Sequence, residues 1–274
     1  MAVQSKIFNH RTLRLVNRFL PDKIWHRISY AALLFGSFGS GAFNTEFLAK
    51  NATNILKESR NFRRAPDRPI ILIDVGFSKG DFSRLVLENL DEEIRVFGFE
   101  IQEGINYNRD LFGSRLVLEH LALSDTNGVA PYFSDVEGSS ITSLSPFRFD
   151  TIGADHNIVK MVERTTLDLY ASKNDIEEVD ILKIDVEGHD FSVMLGAQAT
   201  LRKTKIVVFE QGPAQIEEKV FFRNFFDLLS DLNFDIYFCG YNDLTLIRKY
   251  STKYEIYFPT NFIAVSQKLG WMSV

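Results

Sequence analysis

The stretch Val179-Asp-Ile-Leu-Lys-Ile-Asp-Val-Glu-Gly-His-Asp190 constrains this 274-residue chain more than any other. An apolar run (Ile181, Leu182, Ile184) carries Lys183, Asp185 and Glu187 at every second position, then breaks at Gly188. Side chains alternate faces along a strand, so charges spaced by two converge on one side. Ionisable groups on an otherwise buried strand are costly unless they are paired or used. In open α/β sheets ligands bind at the carboxyl ends of strands, where this run stops. The pattern marks a site.

A second run, Arg68-Pro-Ile-Ile-Leu-Ile-Asp-Val75, is short, unbroken and apolar, as expected of a parallel strand covered on both faces. Gly76-Phe77-Ser78-Lys79-Gly80 turns it into a helix whose buried stripe is Phe82, Leu85 and Val86. Two glycines between strand and helix let the backbone approach a ligand closely. The next run, Arg95 to Glu100, again ends in an acid, placed to accept hydrogen bonds from ribose hydroxyls.

Strands are predicted near 70–75, 94–99, 116–121, 180–185, 205–210, 234–239 and 261–266, and helices over 81–90, 104–112, 189–202 and 216–231. Such alternation argues for a parallel sheet with helices on both faces. The last two strands lack a long helix between them, so an antiparallel edge strand is expected. Between 125 and 166 the helical pattern is lost; Val129–Phe133, Ser139–Leu144 and Ile158–Val162 read as short strands or a lid. Cys239 is the only cysteine, so no internal disulfide can form, and the five histidines lack zinc-ligand spacing. No metal ligand set is assigned.

Six motifs fall in order: Asp74-Val75-Gly76 with Gly80; Gly98-Phe99-Glu100; Ala122-Leu123-Ser124-Asp125; Thr166-Leu167-Asp168; Leu182 to Gly188; and Phe209-Glu210. Together they resemble the FkbM-type family of S-adenosylmethionine-dependent methyltransferases, from about Ile70 to Ser266. The chain departs from the family's usual pattern at Phe77 and Ser78, at Ile101 after Glu100, and at His189 and Asp190. The resemblance implies an α/β, Rossmann-like, seven-stranded and mostly parallel sheet of class I methyltransferase architecture. It places Gly76, Phe77, Ser78 and Gly80 around the methionine end of S-adenosylmethionine, with Asp74 nearby. Glu100 and Ile101 then meet the ribose, Leu123 and Ser124 the adenine, and Asp185 the sulfonium. Candidate catalytic groups are Asp185 and Glu187 as base, Glu210 in reserve, and Lys183 beside them as a catalytic or ion-paired group. His189, at a helix start, reads as a surface residue.

Residues 1–64 form a basic helical extension, and 65–274 the Rossmann-like domain with its insertion near 125–166. The extension has 11 basic and 3 acidic residues, a balance of +8, against −13 for the remainder. Phe8, Leu13, Leu15, Val16, Phe19 and Leu20 share one side of a helical wheel opposite Arg11, Arg14 and Arg18. Four readings stand open: packing on the domain or a second subunit of a homo-oligomer, contact with a membrane surface or anionic substrate, a targeting segment, and a solvated arm. The apolar stretch 28–43 falls short of the roughly 20 residues a membrane span needs. The expected location is cytoplasmic, with peripheral membrane contact as an alternative. Nucleic acid is disfavoured by the acidic domain.

The expected function is O-methylation of a hydroxyl on a sugar or a glycosylated or polyketide-type small molecule, a substrate class implied by the resemblance alone. The alternatives are N- or carboxyl-methylation, a Rossmann-like binding protein whose methionine site Phe77 fills, and a membrane-peripheral protein working through its basic helix.

Overall fold

Apolar runs of six to eight residues, rich in Ile, Val and Phe, pair into a sheet because each is buried on both faces. The computed structural model describes residues 45–59, 68–135, 137, 142–144, 158–240, 243–256 and 258–271. Its strands are β1 (Ile70–Val75), β2 (Ile94–Phe99), β3 (Leu116–Glu119), β4 (Ala122–Leu123), β5 (Gly128–Ser134), β6 (Thr142–Ser143), β7 (Ile158–Thr165), β8 (Val179–Ile184), β9 (Thr204–Gln211), β10 (Phe234–Cys239), β11 (Leu244–Leu246) and β12 (Thr260–Ser266). Its helices are α1 (Thr45–Glu58), α2 (Asp81–Asn89), α3 (Arg109–Phe112), α4 (Leu167–Lys173), α5 (Asp190–Leu195), α6 (Gln198–Leu201), α7 (Pro213–Glu217) and α8 (Phe222–Asp231).

The main sheet runs β11-β10-β12-β9-β8-β1-β2-β3. From β9 to β3 every pairing is parallel, whereas β12 runs against both its neighbours and β11 runs against β10. The doubly wound class is as expected, with eight strands in place of seven. The added strand, β11, is three residues long and only half covered, too short for a period to register. Reversal also goes deeper than one edge strand, because β12 sits between β9 and β10. The predicted helices are trimmed: only Arg109–Phe112 of 104–112 is helical, starting after Asn108 accepts the Leu111 amide. The other two split, at Gly196 between α5 and α6 and at Lys219 (φ 57°) between α7 and α8.

One face of the sheet, with Ile73, Phe97, Leu182 and Phe209, packs on α4, α5, α6 and α8. The other, with Leu72, Val96, Ile181 and Val208, packs on α1 and α2. Helix α1 lies within the segment read as an extension, yet its Leu48, Ala49, Ala52, Ile55 and Leu56 are buried in this second core. The basic amphipathic helix and the stretch 28–43 lie outside the described residues, as do the links at 145–157 and 241–242. No described helix is long and apolar enough to cross a membrane.

A second sheet, β4-β7-β5-β6, rises from the segment between β3 and α4. Gln102, just past β2, anchors it by donating to Ser134 Oγ (3.3 Å) and Thr142 Oγ1. At the opposite end of the main sheet Asp180 is fully buried and joins three strands. It accepts the Ile71 amide (2.8 Å) and pairs with Arg68 (3.0 Å) and Lys205 (2.6 Å). Removing one partner of a buried pair leaves an uncompensated charge. We expect Asp180→Ala to lower unfolding stability by about 3–5 kcal/mol, read by urea denaturation, with the fold class unchanged by circular dichroism.

Candidate active site

The carboxyl ends of β8, β1 and β2 and the start of the second sheet enclose a cavity of about 260 Å³. Its walls include the turn Val75–Lys79, then Glu100 and Ile101, Leu121–Leu123, Thr142–Leu144, and Lys183–Glu187 with His189. Thr45 and Leu48 of α1 and Asn261 of β12 complete it.

Lys183 holds the floor together. Its ammonium donates to the Gly76 carbonyl (2.7 Å) and lies 3.3 Å from Asp74 Oδ1 and 3.5 Å from Asp185 Oδ2. Burial alone would lower its pKa; the carboxylates of Asp74 and Asp185 outweigh that and raise it. A lysine so held stays protonated and serves as a fixed positive charge. Asp74 is 1% exposed and accepts from Ser83 of α2 (2.6 Å). Burial pushes its pKa upward against the pull of Lys183. Gly76, at φ 79°, passes so close to the Asp185 carbonyl that a Cβ there would sit 1.9 Å from the oxygen, so only glycine fits.

Beyond β8 the chain turns sharply, and Glu187 takes a left-handed φ of 53°, unusual without a glycine. Burial, then Asp185 and Asp190, lift its pKa to about 8, with Lys183 opposing. Asp190, wholly buried, braces this turn by accepting the Val186 (3.4 Å) and Gly188 (3.2 Å) amides and Gln215 Nε2 (2.8 Å). Burial raises its own pKa to about 7. Glu210 is likewise raised, by burial and then by Asp185, Glu187 and Asp190. His189 is no surface residue: it lines the cavity, with Nε2 2.9 Å from Ser124 Oγ. Burial lowers its pKa; Glu218 and Asp125 oppose this, and Arg164 adds to it. The lowered pKa favours the neutral imidazole.

Of the residues singled out in the sequence, Gly76, Phe77, Ser78, Glu100, Ile101, Leu123, Lys183, Asp185 and Glu187 converge on the cavity. Asp74 lies beneath it, paired with Lys183. Gly80 starts α2, where its neighbours are the Phe77 and Phe112 rings, and Ser124 stands behind His189. Glu210 is not among the lining residues. The Phe77 ring packs against Phe112 and Tyr107, each 5.6 Å away. Sequence reasoning missed the place of His189, Asn261 and the two residues of α1 in the cavity, all brought in by long-range packing, whereas the Thr142–Leu144 edge falls in the Ser139–Leu144 segment read as a strand or lid. Among the described residues no three of His, Cys, Asp and Glu are placed to share a metal ion.

A doubly wound sheet with a glycine turn after its first strand and a carboxylate after its second is the arrangement of a nucleotide-cofactor site. The family described as "Methyltransferase FkbM domain" matches residues 74–236. This chain belongs to the FkbM family of S-adenosylmethionine-dependent methyltransferases. It is similar to 2-O-methyltransferase NoeI of Sinorhizobium fredii (strain NBRC 101917 / NGR234), 26% identical over 62% of this chain and 74% of that protein. Among solved structures, methyltransferase FkbM from Methylobacillus flagellatus KT aligns over 74% of this chain and 46% of that one, with 14% identity and a TM-score of 0.40. The present chain thus spans under half the length of that relative. An O-methyltransferase from Bacillus cereus, in complex with SAH, aligns over 81% and 80% with 11% identity and a TM-score of 0.43.

The lining fits S-adenosylmethionine chemically. Glu100 Oε2 accepts the Ser78 amide (2.9 Å) and Oε1 the Gln102 amide (3.0 Å), which leaves each oxygen a lone pair for a ribose hydroxyl. Ile101, Leu121 and Leu123 offer apolar surface for a base, and Asp185 and Glu187 offer negative charge for a sulfonium. We expect Glu100→Ala to weaken S-adenosylhomocysteine binding at least about tenfold by calorimetry, since bonds to a charged group contribute about 1.5–3 kcal/mol each. We further expect Lys183→Met to cost about 3–5 kcal/mol in urea unfolding, because Asp74 is left buried without a cation.

Proposed function

We propose that this enzyme methylates a hydroxyl of a small sugar-like acceptor, with Glu187 as the general base. One observation carries this reading: Glu187 lines the cavity as a buried carboxyl close to Asp185 and Asp190, and that burial pushes its pKa up to about 8. A hydroxyl must lose its proton as its oxygen is methylated, and a base tuned near the working pH does this best. An amine that is already neutral, or a carboxylate, needs no such group. The 2-O-methylation for which NoeI is named supports the hydroxyl class.

S-adenosylmethionine, when bound, supplies a methyl group made electrophilic by its sulfonium. Glu100 binds the ribose hydroxyls, and Ile101 and Leu123 enclose the base. Asp185, half-exposed and anchored by Lys183, faces the positive end of the cofactor. Glu187 takes the acceptor's proton, while Lys183 and Asp190 hold the two ends of its turn in place. Holding donor and acceptor in line contributes a further large share of the rate, up to about 7–11 kcal/mol.

The base is active when deprotonated. With a panel of methyl hexosides and radiolabelled methyl donor, we expect kcat/KM to rise with pH and level off above about 8. Glu187→Gln should lower turnover by about 10²–10⁴-fold and abolish this rise. Near-normal turnover in that variant, with the pH profile unchanged, would refute the assignment.

A further inference from the structure

Ser124, His189 and Asp125 form a small polar chain that the methyl-transfer reading leaves unused. Ser124 Oγ donates to Asp125 Oδ1 (3.0 Å), so its single proton is committed. It must then accept from His189 Nε2 at 2.9 Å. In a neutral imidazole this places the ring proton on Nε2 and leaves Nδ1 a bare acceptor. Among the described residues no donor is bonded to Nδ1. The ring lines the same cavity as Ile101, Leu121 and Leu123, the apolar surface that follows the ribose carboxylate Glu100.

The geometry points to His189 as the residue that reads the 6-amino group of the cofactor's adenine, with Ser124 and Asp125 fixing the tautomer that does so. This rests on the reading that S-adenosylmethionine occupies the cavity with its base on that surface. The amino group is a donor and matches the bare Nδ1. A 6-oxo base offers an acceptor there instead. To donate to it, the ring would need the other tautomer, and Ser124 would have to withdraw its proton from Asp125. A site built around one hydrogen bond rejects a ligand that leaves its group unpaired.

The test is calorimetric titration of the full chain with S-adenosylhomocysteine and with its 6-oxo counterpart, S-inosylhomocysteine. Wild type should prefer the adenosyl compound by about tenfold or more. His189→Ala should still bind it but show a preference within about threefold. His189→Gln, whose amide can present oxygen or nitrogen, should bind both compounds with similar affinity. Ser124→Ala should narrow the preference by freeing the tautomer. The inference is overturned if wild type shows no preference or if His189→Ala retains it. It also falls if His189→Ala lowers kcat alone, which would assign the ring to the acceptor. Binding of neither compound to folded wild type would instead remove the cofactor reading itself.

Discussion

The ammonium of Lys183 is the charge on which the site depends. It sits where five carboxylates (Asp74, Asp185, Glu187, Asp190 and Glu210) crowd around the end of β8 and its neighbours. Asp74 is too deeply buried to hold a charge on its own, and the same ammonium that pairs with it also fixes the Gly76 carbonyl and Asp185. Electrostatic pairing and turn geometry are thus one interaction. Burial raises the pKa values of Glu187, Asp190 and Glu210, and the acids that a single cation leaves unbalanced raise them further. Such a cavity favours a ligand that brings positive charge with it, and it holds a carboxyl that gives up its own proton only as the pH approaches about 8.

Rigidity around Glu187 follows from several small constraints acting on one turn. Its left-handed backbone costs on the order of 1 kcal/mol, and it persists because neighbouring amides are tied down. Asp190 accepts two of them, and Gln215 ties Asp190 to the start of α7 through the Gly212 amide and the Glu210 carbonyl. On the other side the Asp185 amide donates to Val75 (3.0 Å), locking the turn to β1. Asp190 therefore holds the turn that carries Glu187, and the Glu210 carbonyl shares in that bracing through Gln215.

Most of the sheet was legible in the chain because its strands are continuous apolar runs ending in acids, a pattern only doubly covered strands need. The site was legible to the extent that strand ends locate it: Glu100, Asp185 and Glu187 all lie there. The alternation rule stops with the strand at Ile184, however, and past that point turn geometry decides. Lys183 and Asp74 share a face by register, directly opposite each other on adjacent strands, and so they pair with each other. Glu187 lies three residues past the strand and reaches the cavity through its own φ. His189 was placed correctly at a helix start but wrongly at the surface, since its partner Ser124 is 65 residues away. The buried stripe of α1 was not singled out in the sequence, because the basic composition of residues 1–64 masks it.

Phe77 shows how a departure from a family pattern is absorbed. Where relatives usually carry a small residue, this chain has a large ring, and ring and cofactor would compete if it pointed into the cavity. It is buried instead in a slot made by two glycines. A Cβ at Gly98 of β2 would come 2.8 Å from the ring, and one at Gly80 would come 2.4 Å. Phe112 and Tyr107 close the slot from the α3 side. The aromatic side chain thus strengthens the packing beneath the glycine turn, stiffening the loop whose amide at Ser78 positions Glu100.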